Sequence, residues 1–187
     1  MNRRNMLRVA AATAAVPALL ASTSVFGQSA SAEMGESEKK HVTETKKVGS
    51  LSLASSRLAA SKANDPMVKM FAGWEVSEQE TIADIFKSME AGGTAEGALK
   101  PPSEDEVMQM LDADGKAAMD KLNAASGAEF DKAYVTAQLD GHRKLLTIQE
   151  DYLKVGKNRE HLSVTKLARG QIKEHVDHLD MLKSKLG

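Results

Sequence analysis

Three residues of this chain combine a reactive type with a placement that could support chemistry: Glu78, His142 and His175. Helical-wheel positions put each of them in the middle of an apolar stripe on a predicted helix. A carboxylate or an imidazole there is costly unless it is paired, hydrogen-bonded or bound to a metal ion. Two imidazoles and one carboxylate form a ligand set that suits iron, manganese or zinc. The pattern therefore predicts a single metal site and singles out no catalytic residue.

A structural interpretation of the same residues stays open and is favoured, because single ligands on separate helices are a weak motif. In that interpretation His142 and His175 hydrogen-bond to Glu78, Gln138 or Gln149 and fix the register of the helices, since buried polar groups normally find such partners. No metal is then needed. The two histidines close to predicted helix starts are expected to be solvated; they are His41 and His161.

Four long helices are predicted to carry these stripes, over residues 42–62, 66–90, 126–156 and 158–186. Shorter helical pieces fill residues 103–125, where Ser103 and Glu106 form a capping box. The sequence thus predicts an all-α, up-down-up-down four-helix bundle with a helical crossover between the second and third long helices. The buried stripe of the second helix is predicted at Met67, Phe71, Trp74, Ile82, Ile85 and Met89.

Composition excludes several classes of protein. The 187 residues contain no cysteine, which rules out disulfides and thiolate metal sites. The formal net charge of −1 offers no field that would attract nucleic acid. With 42% hydrophobic and 27% charged residues, the chain is typical of one globular domain. The sequence has no phosphate-binding loop. It does not identify a partner, which could be a second copy of the chain (a homo-oligomer) or an envelope protein.

The first 32 residues are predicted to be an export signal. Arg3 and Arg4 precede an apolar run, and residues 30–32 (ASA) form a site that signal peptidase accepts. The two arginines resemble a twin-arginine signal, with the general secretory route as the alternative. The prediction is a periplasmic or secreted protein that meets the export machinery and keeps no stable membrane insertion after cleavage. Residues 33–41 are predicted to be a flexible leader, and residues 42–187 the bundle domain.

Several segments resemble an exported bacterial family, the domain-of-unknown-function family 4142 (DUF4142). They are residues 58–72 (LAASKANDPMVKMFA), residues 126–134 (SGAEFDKAY) and residues 173–175 (KEH). The resemblance covers residues 48–182. It implies a ferritin-like four-helix bundle and carries no established biochemical activity.

The chain departs from the family pattern at the positions that would bind two metal ions. Ser52 stands where the family tends to have a glutamate, and Glu78-Gln79 and Gly141-His142 stand where it has acidic-His pairs. Dinuclear ferritin-like sites use carboxylates from all four helices. The sequence therefore favours an exported, non-enzymatic protein with a role in envelope or stress physiology. The alternative is a metal-binding or metal-dependent redox protein with a single site in the core.

Overall fold

The computed structural model describes residues 34–93 and 95–187. Within these residues the chain forms six helices and no strand, which confirms the all-α prediction. The predicted export signal lies outside the described residues. The helices are α1 (Glu36–Lys62), α2 (Pro66–Ala91), α3 (Glu104–Met110), α4 (Ala113–Ala124), α5 (Gly127–Val155) and α6 (Arg159–Leu186).

Short polar side chains fix where the helices begin. Asp65 accepts hydrogen bonds from the backbone of the first turn of α2, and Pro66 occupies the first helical position. Ser103 and Glu106 form the predicted capping box at the start of α3. Asn158 caps α6 through the backbone N–H of His161. These boundaries follow from local side-chain chemistry and agree with the sequence predictions.

The prediction of a flexible leader over residues 33–41 is wrong, because α1 already begins at Glu36. Glu38 and His41 are buried in its first two turns, with 4% and 2% of their surface exposed. The Tyr152 hydroxyl donates a 2.8 Å hydrogen bond to Glu38, which ties the start of α1 to the end of α5. A polar segment is therefore held as helix by partners on a distant part of the chain.

The order of helix directions also differs from the predicted up-down-up-down arrangement. The carboxylate of Asp131, at the start of α5, accepts hydrogen bonds from the backbone N–H groups of Asn64 and Asp65 in the α1–α2 turn. Lys185, near the end of α6, pairs with Asp65 at 2.7 Å. The start of α5 and the end of α6 therefore lie at the same end as the α1–α2 turn. The order is up-down-down-up, and the α1–α2 and α5–α6 turns lie at opposite ends.

The core lies between the four long helices, where α1 packs against α2 and α5, and α5 packs against α6. Leu53, Phe71, Tyr134 and Leu179 are among its fully buried members. The short helices α3 and α4 carry the chain from the end of α2 back to the start of α5 and pack against α1. No helix in the described part of the chain is long and apolar enough to cross a membrane.

The stripe on α2 is rotated relative to the prediction. Met67 and Trp74, predicted as core residues, are 44% and 43% exposed. Phe71 is buried as predicted, and the face turned to the core also carries Val68, Ala72, Glu75 and Phe86. Apolar residues surround most of this helix, so their positions alone did not define which side would be covered.

Candidate metal centre

Three helices bring Glu75, His142 and His175 to one level of the bundle. Asp65, Asp131 and Lys185 lie together at one end, as their hydrogen bonds show. Glu75 follows Asp65 by ten residues, His142 follows Asp131 by eleven, and His175 precedes Lys185 by ten. At 1.5 Å per residue, each position is about 15 Å from that end. The three side chains therefore meet at the same depth.

The three side chains converge on one small space. His175 Nδ1 lies 2.9 Å from Glu75 Oε2, and His142 Nε2 lies 3.1 Å from the same oxygen. The two imidazole nitrogens are 3.2 Å apart. The exposed fractions of the residues are 0% for Glu75, 1% for His142 and 6% for His175. One carboxylate oxygen and two ring nitrogens thus form a buried cluster that could hold a metal ion.

Both imidazoles are oriented through their outer nitrogens. His142 Nδ1 donates to the backbone carbonyl of Gln138 at 2.8 Å. His175 Nε2 lies 3.3 Å from Glu78 Oε1 and donates to that carboxylate. In the neutral form of each ring, the hydrogen then sits on the outer nitrogen and the inner nitrogen presents a lone pair to the cluster.

The observed carboxylate differs from the predicted one by a turn of helix. The structure brings together His142 and His175 as predicted, but the buried carboxylate between them is Glu75. Glu78, whose side chain is 30% exposed, contacts His175 from outside the cluster. Val68, Phe71 and Phe86 share the buried face of α2 with Glu75, but apolar residues surround most of this helix, so their spacing alone does not separate Glu75 from Glu78.

Charge and hydrogen bonding determine the ionisation of Glu75 and His175. Burial disfavours the Glu75 carboxylate, but the charge of His142 and hydrogen bonds from His142, His175 and Ser52 outweigh it and hold the pKa of Glu75 well below its usual range. Burial also disfavours a charged His175, yet Glu75 and Glu78 raise its pKa to about 9. Without a metal, a protonated His175 therefore lies between two carboxylates.

Polar contacts continue from the cluster towards the surface. Ser52 Oγ lies 2.5 Å from Glu75 Oε1 and 2.6 Å from Gln138 Oε1, and its one hydrogen satisfies one acceptor at a time. Both Ser52 and Gln138 also line a cleft of about 740 Å³ between α1, α4 and α5. The lining of this cleft therefore lies one side chain, Ser52, away from Glu75.

The prediction that His41 and His161 are solvated is wrong. Both histidines belong to a second buried polar layer. His41 and His161 are 2% and 1% exposed. His41 Nε2 lies 2.9 Å from Gln149 Oε1 and donates to it, so His41 Nδ1 accepts from His161 Nε2 at 2.8 Å. Each lies near a helix start, but the starts of α1 and α6 are covered by Phe86 and Tyr152.

Because His41 and His161 are buried, we expect the free energy of unfolding to fall in acid. Burial is the main cause that lowers the pKa of His41, to about 4, and it also lowers the pKa of His161, against the opposing charge of Glu38. The unfolded chain takes up these protons near pH 6.5, so the stability is present above that pH and is lost as the pH falls towards 4. We expect His41 alone to contribute up to about 3 kcal/mol of that loss.

Urea unfolding of the metal-free protein at pH 4, 5, 6 and 7 measures the effect. The His41→Gln variant should show a shallower decline between pH 6.5 and 4 than the wild type. The contribution of His175 to stability changes with pH in the opposite direction. Its raised pKa gives stability that is present below pH 6.5 and lost as the pH rises through about 9. Parallel pH profiles for the wild type and His41→Gln would contradict the assignment.

A family model matches most of this chain. The model is described as "Domain of unknown function (DUF4142)" and matches residues 23–182. The chain belongs to the DUF4142 family. No curated protein and no solved structure matches it.

In this DUF4142 protein, two of the segments that resemble the family contact each other. Asp131, within residues 126–134, accepts hydrogen bonds from the backbone of Asn64 and Asp65, within residues 58–72. The Asp131 side chain is 1% exposed. These contacts join the α1–α2 turn to the start of α5 and so set the level from which Glu75, His142 and His175 converge.

Proposed function

We propose that this DUF4142 protein binds one divalent metal ion through Glu75, His142 and His175. The observation that carries the proposal is the mutual spacing of the three ligand atoms, 2.9, 3.1 and 3.2 Å. Metal–ligand bonds of about 2.1 Å at right angles hold neighbouring ligand atoms about 3.0 Å apart. A tetrahedral ion with the same bond length would hold them about 3.4 Å apart. The spacing fits one face of an octahedron.

The donor set suits iron, manganese or zinc. Two histidines and one carboxylate on one face of an octahedral ion are typical of iron(II) sites that keep open positions. Iron or manganese would supply one-electron redox chemistry in the core. The cleft that reaches Ser52 and Gln138 supports access for small molecules on the α1 and α5 side.

The outer contacts of the two histidines support the same function. The backbone of Gln138 and the carboxylate of Glu78 accept hydrogen bonds from the ring nitrogens that face away from the cluster. Partners of this kind fix the tautomer and the angle of a metal-binding imidazole, and a carboxylate also makes the ring a stronger donor. Glu78 is therefore a positioning residue, and Glu75 is the carboxylate ligand.

Metal titration tests the site. The wild type should bind one equivalent of Mn²⁺ or Fe²⁺, measured by calorimetry under anaerobic conditions, and His175→Ala should bind none. Glu78→Gln should weaken binding by about 10- to 100-fold, as expected for the loss of an orienting carboxylate. Glu80→Gln is the matched control, because Glu80 lies on the same helix and pairs with Arg57 instead of a histidine.

Thermal unfolding gives a second measurement of the same site. A hundredfold excess of metal over the dissociation constant should stabilise the wild type by about 2.7 kcal/mol and leave His175→Ala unchanged. An unchanged melting temperature of the wild type with manganese, iron and zinc would contradict metal binding. It would favour a structural layer in which protonated His175 joins Glu75 and Glu78.

We further propose that the protein is exported and has a ferritin-like fold. One crossover that joins two parallel long helices is the connection found in ferritin-like bundles, and α3 and α4 make that connection between α2 and α5. The basic start and the small residues at 30–32 support a periplasmic location. Intact-mass measurement on envelope fractions tests the cleavage, since an uncut chain there would contradict it.

A further inference from the structure

We propose that a groove between α2 and α6 binds a monovalent soft metal ion, copper(I), through methionine sulfurs and a histidine. The groove is separate from the Glu75 cluster. Its donor side chains are Met67, Met70, His178 and Met181. The rest of the lining is Phe71, Trp74, Leu182 and Lys185.

Helical spacing places these side chains on facing surfaces. Met67, Met70 and Trp74 are three and four residues apart on α2, and His178 and Met181 are three apart on α6, so each set lies on one face of its helix. The side chains surround a space of about 180 Å³. Met67, Met70 and Met181 are 44%, 47% and 59% exposed, so their sulfurs are free of the packing constraints of the core.

His178 is the imidazole of this groove that is available to a ligand. Among the described residues, its ring makes one aromatic contact, with Trp74 at 5.8 Å between centroids, and no hydrogen bond. Lys185, at the edge of the groove, is held by Asp65 at 2.7 Å. No carboxylate lines the groove.

The thioether and imidazole ligands determine which metal ion the groove prefers. Thioether sulfur is a soft ligand that prefers copper(I), whereas manganese, magnesium and calcium require carboxylate or other oxygen ligands. Methionine is also a flexible side chain that adapts to a bound ion without moving the backbone. The indole face of Trp74 favours a cation placed against it. The groove therefore prefers a softer metal ion than the Glu75, His142 and His175 cluster does, and its binding does not depend on that cluster.

Trp74 provides a direct measurement, because it is the single tryptophan of the chain. We expect titration with Ag⁺, a redox-inert substitute for copper(I), to quench its fluorescence with a stoichiometry of one. Anaerobic competition with a copper(I) chelator should give the same stoichiometry. Met67→Leu and Met181→Leu should each weaken binding at least tenfold, because leucine keeps the volume and removes the sulfur.

Two control variants distinguish the groove from methionines elsewhere on the surface and from the Glu75 cluster. Met110→Leu, at a methionine that is also 44% exposed but lies outside the groove, should leave Ag⁺ and copper(I) binding unchanged. His175→Ala should lose Mn²⁺ binding and keep Ag⁺ binding. Unchanged affinity in Met67→Leu and Met181→Leu, or loss of Ag⁺ binding in His175→Ala, would overturn the proposal.

Discussion

Replacing Glu75 by alanine should lower the free energy of unfolding of the metal-free protein by about 3 to 5 kcal/mol. Glu75 is fully buried, and its carboxylate faces His142, His175 and the hydroxyl of Ser52. Removing it leaves the protonated imidazole of His175 with Glu78, whose side chain is 30% exposed, as its one remaining carboxylate partner. An uncompensated buried charge of this kind is among the most costly single changes in a folded protein.

Glu78→Ala is the matched control, since both glutamates lie on α2 and both contact His175. The Glu78 side chain is 30% exposed, so its pair with His175 should contribute about 1 kcal/mol or less. Urea unfolding at pH 7 with a chelator present compares the two variants. Equal losses, or a larger loss for Glu78→Ala, would mean that Glu75 is not the buried partner of the histidines.

Leu179→Ala should lower the free energy of unfolding by about 2 to 5 kcal/mol through the cavity that it leaves. Leu179 is 0% exposed and belongs to the core that joins α6 to the other long helices. Lys173→Ala, on the exposed face of the same helix, should change stability by no more than about 0.5 kcal/mol. Denaturant midpoints compare the two, and similar shifts would show that α6 is packed through another face.

Local chemistry in the sequence was enough to define where α2, α3 and α6 begin. Asp65 with Pro66, Ser103 with Glu106, and Asn158 each satisfy free backbone N–H groups next to them in the chain, so their effect does not depend on the fold. On α5 and α6 the predicted apolar faces also have His142 and His175 near their centres. Both histidines are buried and meet as the sequence predicted.

Helix order was decided by contacts between distant residues. Asp131 binds the α1–α2 turn, and Lys185 pairs with Asp65, which turns α5 and α6 opposite to the predicted order. His142 and His175 still meet, because α5 and α6 form one antiparallel hairpin in either order. The level of the carboxylate on α2 depends on the order, and the observed order selects Glu75 at ten residues from Asp65.

The choice between Glu75 and Glu78, and the burial of His41 and His161, required the tertiary structure. Apolar side chains surround most of α2, so the sequence did not define which face would be covered, and Met67 and Trp74 lie outside. The sequence by itself determined most of the helical segments, but not the first turns of α1, and it determined which two histidines are central. The tertiary structure decided which carboxylate joins them, because burial of a side chain depends on neighbours that are far away in the chain and that local periodicity does not contain.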